Sequence, residues 1–319
     1  MSYLWRFSVK KHAKQRLVVL CESAEHLRTT PFISQLYPIL CEAFEVKTVP
    51  RRWLNLLPIR FAAGELVLSL LRQRSWKSML PKLARATERS GIVFYDQDPW
   101  EAYHEHASSP GIYPLVNKSL TVKKFLVTSQ WWANYMRERD ALPMGFVRMG
   151  VLPEMCEVGP AYDQRSVEVG FQGKLHTHRK SFFERMNALG VDVVFKPSKP
   201  YNEFLRALHN IRIYLHDERT GIRLDDGKLL GEWLWIKESE PVARGCFAIR
   251  DYEDESRAYD MDQLPTVMPF RSESEVPSII ETIRMMPERE REERRRSSVE
   301  MLRRRNDWQT VVRALKEIG

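Results

Sequence analysis

The stretch "VEVGFQGKLHTHRKSFFERM", residues 167–186, decides the architecture. A β-branched apolar run, Val167–Phe171, halts at Gly173. Lys174 and the pair Arg179-Lys180 follow. Ser181–Leu189 then carries apolar residues at 182, 183, 186 and 189, which is helical spacing. Strand, glycine turn, cations and helix, in that order, make a parallel α/β unit. The turn is also a good place for an anion, because a helix N-terminus offers N–H groups and a partial positive charge, and lysines add full charges. A phosphate or pyrophosphate would fit. A plain β–α loop with surface lysines is the competing reading of this stretch taken alone.

Outward from there the alternation recurs. Candidate strands in the first half are Arg16–Cys21, Phe44–Val49, Gly91–Tyr95, Phe125–Thr128 and Phe146–Met149. In the second half they are Val167–Phe171, Val191–Phe195, Ile211–Leu215, Cys246–Arg250 and Thr266–Pro269. Helix-like segments lie between them, such as Tyr201–His209 with Tyr201, Phe204, Leu205 and Leu208 on one stripe. Strands alternating with helices argue for parallel layers. The pattern occurs twice and breaks at "VLPEMCEVGPAYDQR", residues 151–165, which has two prolines, a glycine and no clear period. The expected fold is α/β, with two Rossmann-like domains facing across a cleft at the carboxyl ends of their strands. The first domain covers 1–150, the linker 151–165 and the second domain 166–300. A terminal helix, 301–319, is expected to pack back on the first domain. Ser297–Ile318 reads as helical throughout, with Trp308, Val311, Val312 and Leu315 as its apolar stripe.

A chain of 319 residues suits two domains of ordinary size. With 43% hydrophobic and 29% charged residues it is globular, which excludes a disordered class. No apolar run reaches the roughly 18 residues of a membrane span. Leu17–Cys21, after the basic Met1–Arg16, is too short for a signal peptide and reads as a first strand. Cys21, Cys41, Cys156 and Cys246 form no C-x-x-C pair and match no zinc spacing, the pattern of reduced, mostly buried thiols. The expected location is the cytoplasm or the inner face of the membrane. The net charge of +8 admits nucleic acid, an anionic membrane surface or phosphorylated ligands. It concentrates in an N-terminal arm (Arg6, Lys10, Lys11, Lys14, Arg16) and in 288–305, where Glu and Arg alternate as in a solvated helix laced with i,i+4 pairs.

A second stretch, "GEWLWIKESEPVARGCFAI", residues 231–249, places Glu232 and Glu240 eight apart. That is just over two helical turns, so both reach one ligand only if a loop gives way to a helix between them. Glu240-Pro241 suits a helix start, and a carboxylate there could accept hydrogen bonds from a ribose diol. Gly245 would close the helix. A capping glutamate is the plainer alternative.

Together the two stretches resemble the donor-binding domain of the two-domain (GT-B) glycosyltransferases that use nucleotide sugars. Retaining members carry a Gly-[Arg/Lys] turn with a second cation six residues on, then an E-x7-E motif ending in Glu-x-x-Ala-x-Gly. Gly173-Lys174 with Lys180 matches the first, and Glu232 with Glu240-Pro-Val-Ala-Arg-Gly245 the second. The texture of "FLVTSQWWANYM", "MGVLPE", "FRSESEVPSIIETI" and "DWQTVVRAL" is similar to the CgeB-like branch, over roughly residues 90 to 315. The resemblance implies a metal-independent, retaining transferase that uses a nucleotide-diphosphate sugar as substrate and no cofactor. Lys174 and Lys180 would bind the pyrophosphate and stabilise the leaving nucleoside diphosphate. Glu240 would bind the ribose, and Glu232 would lie near the donor sugar. Two departures stand out: Trp233-Leu234 replaces the usual Phe-Gly, and Cys21-Glu22-Ser23-Ala24-Glu25 replaces the glycine-rich loop after the first strand. The first-domain contacts must therefore differ.

The first half would supply the acceptor site. Its best candidates are Asp96 and Asp98, where "IVFYDQDPWEAYHEH" (92–106) leaves a strand, with His104 as a further possible base. If the anomeric configuration is retained, the carboxylates mainly orient the acceptor. Asp-x-Asp as a metal clamp belongs to the single-domain transferases, and His104-x-His106 and His176-x-His178 lack a third ligand, so no metal is expected. Asp217-Glu218 and Asp225-Asp226 sit in loops on the cleft side. The sequence does not identify the acceptor, which would be a glycan, a lipid-linked glycan or another molecule. Arg51, Arg52, Arg72, Arg74 and Lys77, interleaved with Trp53 and Trp76, would allow peripheral membrane contact, with nucleic acid ranked below it and solvated helix faces the blandest reading. The rivals are a DNA- or protein-modifying sugar transferase, a non-catalytic nucleotide-sugar-binding module, and a sugar epimerase of the same fold.

Overall fold

In a computed structural model the chain builds two parallel sheets, each wrapped by helices. The structure describes residues 14–103, 110–197, 200–217, 219–223, 227, 229–231, 236–251 and 255–319. The first sheet holds β1 (Arg16–Cys21), β2 (Glu45–Pro50), β3 (Leu66–Ser69), β4 (Ile92–Asp96), β5 (Val122–Val127) and β6 (Met144–Phe146). Their order is β2-β1-β3-β4-β5-β6, and every neighbouring pair is parallel. Helices α1 (His26–Thr29), α2 (Pro31–Ala43), α3 (Arg51–Leu56), α4 (Gln73–Thr87), α5 (Ile112–Ser119) and α6 (Gln130–Asp140) connect these strands.

The second half begins with β7 (Val167–Gly173), β8 (Val194–Pro197) and β9 (Ile211–His216). An antiparallel pair of its own, β10 (Arg219–Arg223) with β11 (Leu229–Gly231), precedes β12 (Phe247–Asp251) and β13 (Val267–Phe270). The parallel sheet runs β13-β12-β9-β7-β8. Its helices are α7 (Thr177–Ala188), α8 (Tyr201–Leu208), α9 (Ile236–Ala243), α10 (Glu255–Ala258), α11 (Val276–Met285), α12 (Glu288–Arg304) and α13 (Gln309–Ile318).

The strand sequences follow from burial on both faces. In β1 every residue after Arg16 is buried, so the strand reads as a continuous apolar run without alternation. Strand β3 escapes the periodicity argument. Leu66-Val67-Leu68-Ser69 is fully buried, but its leucines are good helix formers and it has a single β-branched residue. Strand β6 lies two residues earlier than Phe146–Met149, although Val147 N–H still pairs with Val127 C=O at 2.9 Å.

Two expectations about the C-terminal region are corrected. Ser297–Ile318 is not one helix, because α12 ends at Arg304 and α13 starts at Gln309. Nor is 288–305 only a solvated face. Glu290–Arg294 and Glu300–Arg304 pair on its exposed side, but Arg291 and Arg295 are buried. The stripe of α13 joins a core cluster that holds Leu17, Val19 and Leu68 of the first sheet together with Val242 and Ala248 of the second half. Hydrogen bonds also cross between the halves: Tyr259 Oη donates to Thr128 C=O (2.5 Å), and Gln35 Nε2 donates to Tyr201 Oη (2.6 Å). No helix among the described residues is long and apolar enough to cross a membrane.

Candidate functional site

Each sheet has a point where the chain, having placed one neighbour, returns to place the next on the other side. In the first sheet this lies between β1 and β3, and in the second between β7 and β9. Open α/β sheets bind ligands in the crevice at the carboxyl ends there. Lys174 follows β7 at the second of these places, and Asp96 and Asp98 line a cavity at the first.

At the second switch point, β7 ends in Gly173 with φ +153°, and an added Cβ would lie 3.2 Å from the Phe171 ring. The chain then enters α7. Lys174 and Lys180 are exposed, and Lys180 makes a long contact, 3.9 Å, with Glu184. Arg179, between them in sequence, behaves differently. It is buried, lies 5.4 Å over the Phe171 ring and donates to Lys174 C=O at 3.0 Å. It therefore holds the turn that presents the two lysines. Residues 176 and 178 stack their imidazoles in parallel at 5.6 Å. Among the described residues no group of three or more His, Cys, Asp or Glu is arranged to hold a metal ion.

Helix α9 carries the second motif. It begins at Ile236, so Glu240-Pro241 is not a helix start: Glu240 lies in the second turn and Pro241 inside the helix. The ring costs the bond its N–H would make to Lys237 C=O, a loss that a helix of 8 residues fixed at its far end can absorb. That far end is a Schellman cap. Cys246 N–H reaches Pro241 C=O and Gly245 N–H reaches Val242 C=O, both at 2.9 Å, with Gly245 at φ +73°. Buried arginines take the remaining carbonyls: Arg165 donates to Arg244 C=O (2.7 Å) and Arg295 to Gly245 C=O (2.7 Å). Both are also bonded to Val158 C=O, at 2.6 and 3.0 Å.

Glu240 is buried and accepts the Tyr201 hydroxyl of α8. Burial pushes its pKa up to about 8, against the opposing pull of the Tyr201 hydrogen bond and of Arg244. Gln35 of α2 donates to the same Tyr201 oxygen at 2.6 Å, so the first half reaches Glu240 through Tyr201. Two residues earlier on α9, Glu238 is fully buried. It meets His216 Nδ1 of β9 at 2.6 Å and Arg250 of β12 at 3.3 Å. This network anchors α9 to the ends of two strands. Sequence reading missed His216, Glu238 and Arg250. Only the burial of charged letters could have flagged them, and that is a tertiary property. Glu232 and Glu218 lie outside the described residues, as do Asp225 and Asp226.

The first switch point holds a cavity of about 340 Å³. Asp96 and Asp98 both line it, but the geometry divides the pair. Asp96, the last residue of β4, is 9% exposed. It accepts from Gln73 Nε2 (2.5 Å), Asp98 N–H (3.0 Å) and the Tyr113 hydroxyl. Burial raises its pKa, and these donors hold the rise in check. Its oxygens are thus committed to shaping the strand end. Asp98 is set by Asp96, which accepts its N–H, and by Gln73, which donates to Asp98 C=O at 2.8 Å, and the residue lines the cavity. His104 lies outside the described residues. Of the two tryptophans in the basic stretch, Trp76 is core, whereas Trp53 is 41% exposed with Arg52 over its ring.

Solved structures share this fold. Anabaena HepE in complex with UDP-glucose superimposes over 95% of this chain and 99% of its own, with TM-score 0.58 and 12% identity. The fold is GT-B. The DNA-modifying β-glucosyltransferase has the same GT-B arrangement over 95% of this chain and 100% of its own, with TM-score 0.60 and 10% identity. The UDP-forming α,α-trehalose-phosphate synthase from Burkholderia vietnamiensis covers 96% and 98%, with TM-score 0.57 and 14% identity. No protein-family model matches the chain, and no curated protein matches its sequence.

Proposed function

We propose that this GT-B chain is a glycosyltransferase that moves a sugar from a nucleoside-diphosphate sugar, a UDP-sugar first among them, to an acceptor hydroxyl. One observation carries the reading. The Gly173 turn with its two exposed lysines and the buried Glu240 on α9 belong to the same half of the fold, and the turn opens from the β7/β9 switch point. Lys174 and Lys180 bind the pyrophosphate and neutralise the charge that grows on it as the anomeric carbon–oxygen bond breaks. They fill the role a metal would have. Glu240 takes the ribose diol in place of the Tyr201 hydroxyl, and Glu232 approaches the sugar. The acceptor oxygen bonds to the anomeric carbon and its proton leaves. Asp98, with His104 as the alternative, orients that hydroxyl, and Asp96 positions Asp98. The motif order favours retention of configuration. The functional halves divide at residues 151–165, in a cytoplasmic protein that builds or decorates a glycan.

Helix α2 supports a joint role for the two sites. Thr30 and Ile33 line the first cavity while Gln35 bonds Tyr201, and the five-residue step from Thr30 to Gln35 spans about 7 Å along the helix axis.

The test is a thermal-shift screen of nucleoside diphosphates and their sugars. UDP or a UDP-sugar is expected to raise the melting temperature with its concentration. Lys174→Ala with Lys180→Ala is expected to weaken binding roughly 10- to 100-fold, the loss of one or two charge-assisted contacts. If no nucleotide shifts the wild type, the reading fails. Asp98→Asn is expected to leave UDP binding unchanged and to lower transfer about 100-fold or more, the scale of a lost acid–base or orienting group. Equal loss of binding and transfer would return Asp98 to the donor side. Retained binding with no turnover against any acceptor would mark a binding module.

A second reading, sugar transfer to a DNA base, draws on the net charge of +8 and on the fold shared with a DNA-modifying enzyme. Duplex affinity that falls steeply with salt would favour it.

A further inference from the structure

Residues 51–87 carry eight cations against one carboxylate, Glu65, a net charge of +7, and the chain as a whole carries +8. Glu65 is turned back on its own loop, where it accepts Ala62 N–H at 2.6 Å. Arg51 is matched in place: it lies 3.1 Å from Glu22 and donates to Ser75 Oγ at 2.8 Å. The remaining cations are exposed. Arg52 and Arg60 stand on α3 and on the loop after it. On α4, Arg74, Lys77, Lys82 and Arg85 follow one another in steps of three, five and three residues. At 3.6 residues per turn these steps keep all four within an arc of roughly 140° on the outer side of the helix.

The same side of the first sheet exposes large apolar residues. Trp53, Leu56 and Leu57 are 41%, 73% and 49% exposed, and they lie within five residues of one another in sequence. Leu54 belongs to the core cluster that holds Trp76, Met79 and Leu83 of α4, so α3 is fastened against α4. Lys82 Nζ also donates to Asn55 C=O, and Phe61 N–H reaches Ala86 C=O at 2.8 Å. A cavity of about 330 Å³ lies between the two segments, with Leu56, Leu57 and Pro81 among its apolar lining and Lys82 and Arg85 as its cations. The structure thus redraws the basic stretch seen in the sequence. Trp76 and Arg51 leave the surface, and Leu56, Leu57, Arg60, Lys82 and Arg85 join it.

Exposed tryptophan and leucine ringed by lysine and arginine is the composition of surfaces that lie at a bilayer interface. Nucleic acid phosphates would engage the cations and leave the two leucines in water. An apolar protein face would cover the leucines and leave the cations unmatched. We propose that α3, the loop after it and the outer side of α4 dock peripherally on an anionic lipid bilayer. Trp53, Leu56 and Leu57 enter the headgroup boundary, and the arginines and lysines around them meet the charged headgroups. The row of cations starts with Arg74, which lines the first cavity, and ends with Arg85, about 17 Å further along α4. Docking along this row holds the cavity close to the bilayer. The inference goes beyond the transferase reading and is independent of the donor assignment.

Cosedimentation of the full chain with vesicles tests it, using phosphatidylcholine alone and phosphatidylcholine with roughly one-third phosphatidylserine. Binding is expected to the anionic vesicles only, and to weaken as salt is raised. Lys82→Glu with Arg85→Glu is expected to weaken it about 25-fold or more, at roughly fivefold per cation near the surface. Arg52→Glu with Arg60→Glu repeats that loss and leaves the Lys82–Asn55 hydrogen bond in place. Leu56→Ser with Leu57→Ser is expected to weaken binding about tenfold or more with every charge kept. Arg289→Glu with Arg296→Glu makes the same change in net charge on the exposed side of α12 and is expected to bind as the wild type does. All eight side chains are exposed, so the fold is expected to survive, and melting temperatures check that it does. Failure of the wild type to bind anionic vesicles would overturn the proposal. So would an equal loss in the α12 pair, or a leucine pair that binds as tightly as the wild type. Duplex DNA that binds in place of vesicles, weakened by the cation pairs and indifferent to the leucine pair, would assign the surface to nucleic acid instead.

Discussion

Gly245→Ala is expected to lower the melting temperature by roughly 10 °C or more, or to leave the protein insoluble, since ~1 kcal/mol moves a domain of this size by about 2–4 °C. The methyl group would stand 2.4 Å from Val158 C=O, and the nearest atoms after that are Arg165 Nη2 at 3.0 Å and Arg295 Nη2 at 3.1 Å. The φ of +73° alone costs an L-residue about 1–2 kcal/mol. The larger cost is what must move. Val158 C=O accepts from both arginines, and these also hold the last carbonyls of α9. Displacing it strands buried guanidinium donors, a loss of about 3–5 kcal/mol by the usual scale for broken buried pairs. The sum approaches the entire stability of many domains, about 5–15 kcal/mol. Differential scanning calorimetry of the variant checks this, and a shift of only a degree or two would mean that 158 and its arginines relax freely.

Glu240→Gln is expected to separate stability from donor binding. The folded pKa of about 8 lies above the ordinary 4.5, so the protonated carboxyl is the form the fold prefers. The stability this contributes is complete below about pH 4.5 and is lost as the pH rises to about 8. Glutamine keeps an acceptor for the Tyr201 hydroxyl and cannot ionise. The variant should therefore match the wild type near pH 5 and exceed it increasingly up to pH 8, by about 1.4 kcal/mol per pH unit at most. Binding should move the other way. An ionised carboxylate accepts both ribose hydroxyls, through hydrogen bonds about twice as strong as those to a neutral group. Wild-type affinity for UDP-glucose, whose diphosphate does not titrate in this range, should tighten about tenfold from pH 6 to pH 9. The variant should show a flat profile and weaker binding at the upper end. Melting curves and calorimetric titrations at several pH values check both halves. A flat wild-type profile would remove Glu240 from the ribose.

How much of this was legible beforehand can be argued element by element. The strand–glycine–cation–helix order at 167–186 was readable because a covered parallel strand has to be apolar throughout and a βα turn needs glycine and a helix start. The helix-closing role of Gly245 was readable for a similar local reason, and its positive φ is what the Schellman cap requires. Strand β3 was not, because leucine-rich segments of four residues satisfy helix and strand patterns equally. The start of α9 was misplaced because proline is commonest in first turns, and Pro241 is an exception made affordable by the cap behind it.

By itself, then, the sequence determined the layered α/β class, its division into two repeating halves and the candidates Lys174, Lys180, Glu240, Asp96 and Asp98. These depend on chain-local periodicity and on residue chemistry, which a one-dimensional string carries. Only the tertiary structure decided that Asp96 is consumed by Gln73, Tyr113 and the Asp98 amide while Asp98 faces a cavity. Only it decided that Glu240 is buried against Tyr201, whose hydroxyl Gln35 also bonds, with the Glu240 pKa raised. Desolvation, and the identity of a hydrogen-bond partner 166 positions away, depend on what the folded chain brings near, and no local pattern encodes that.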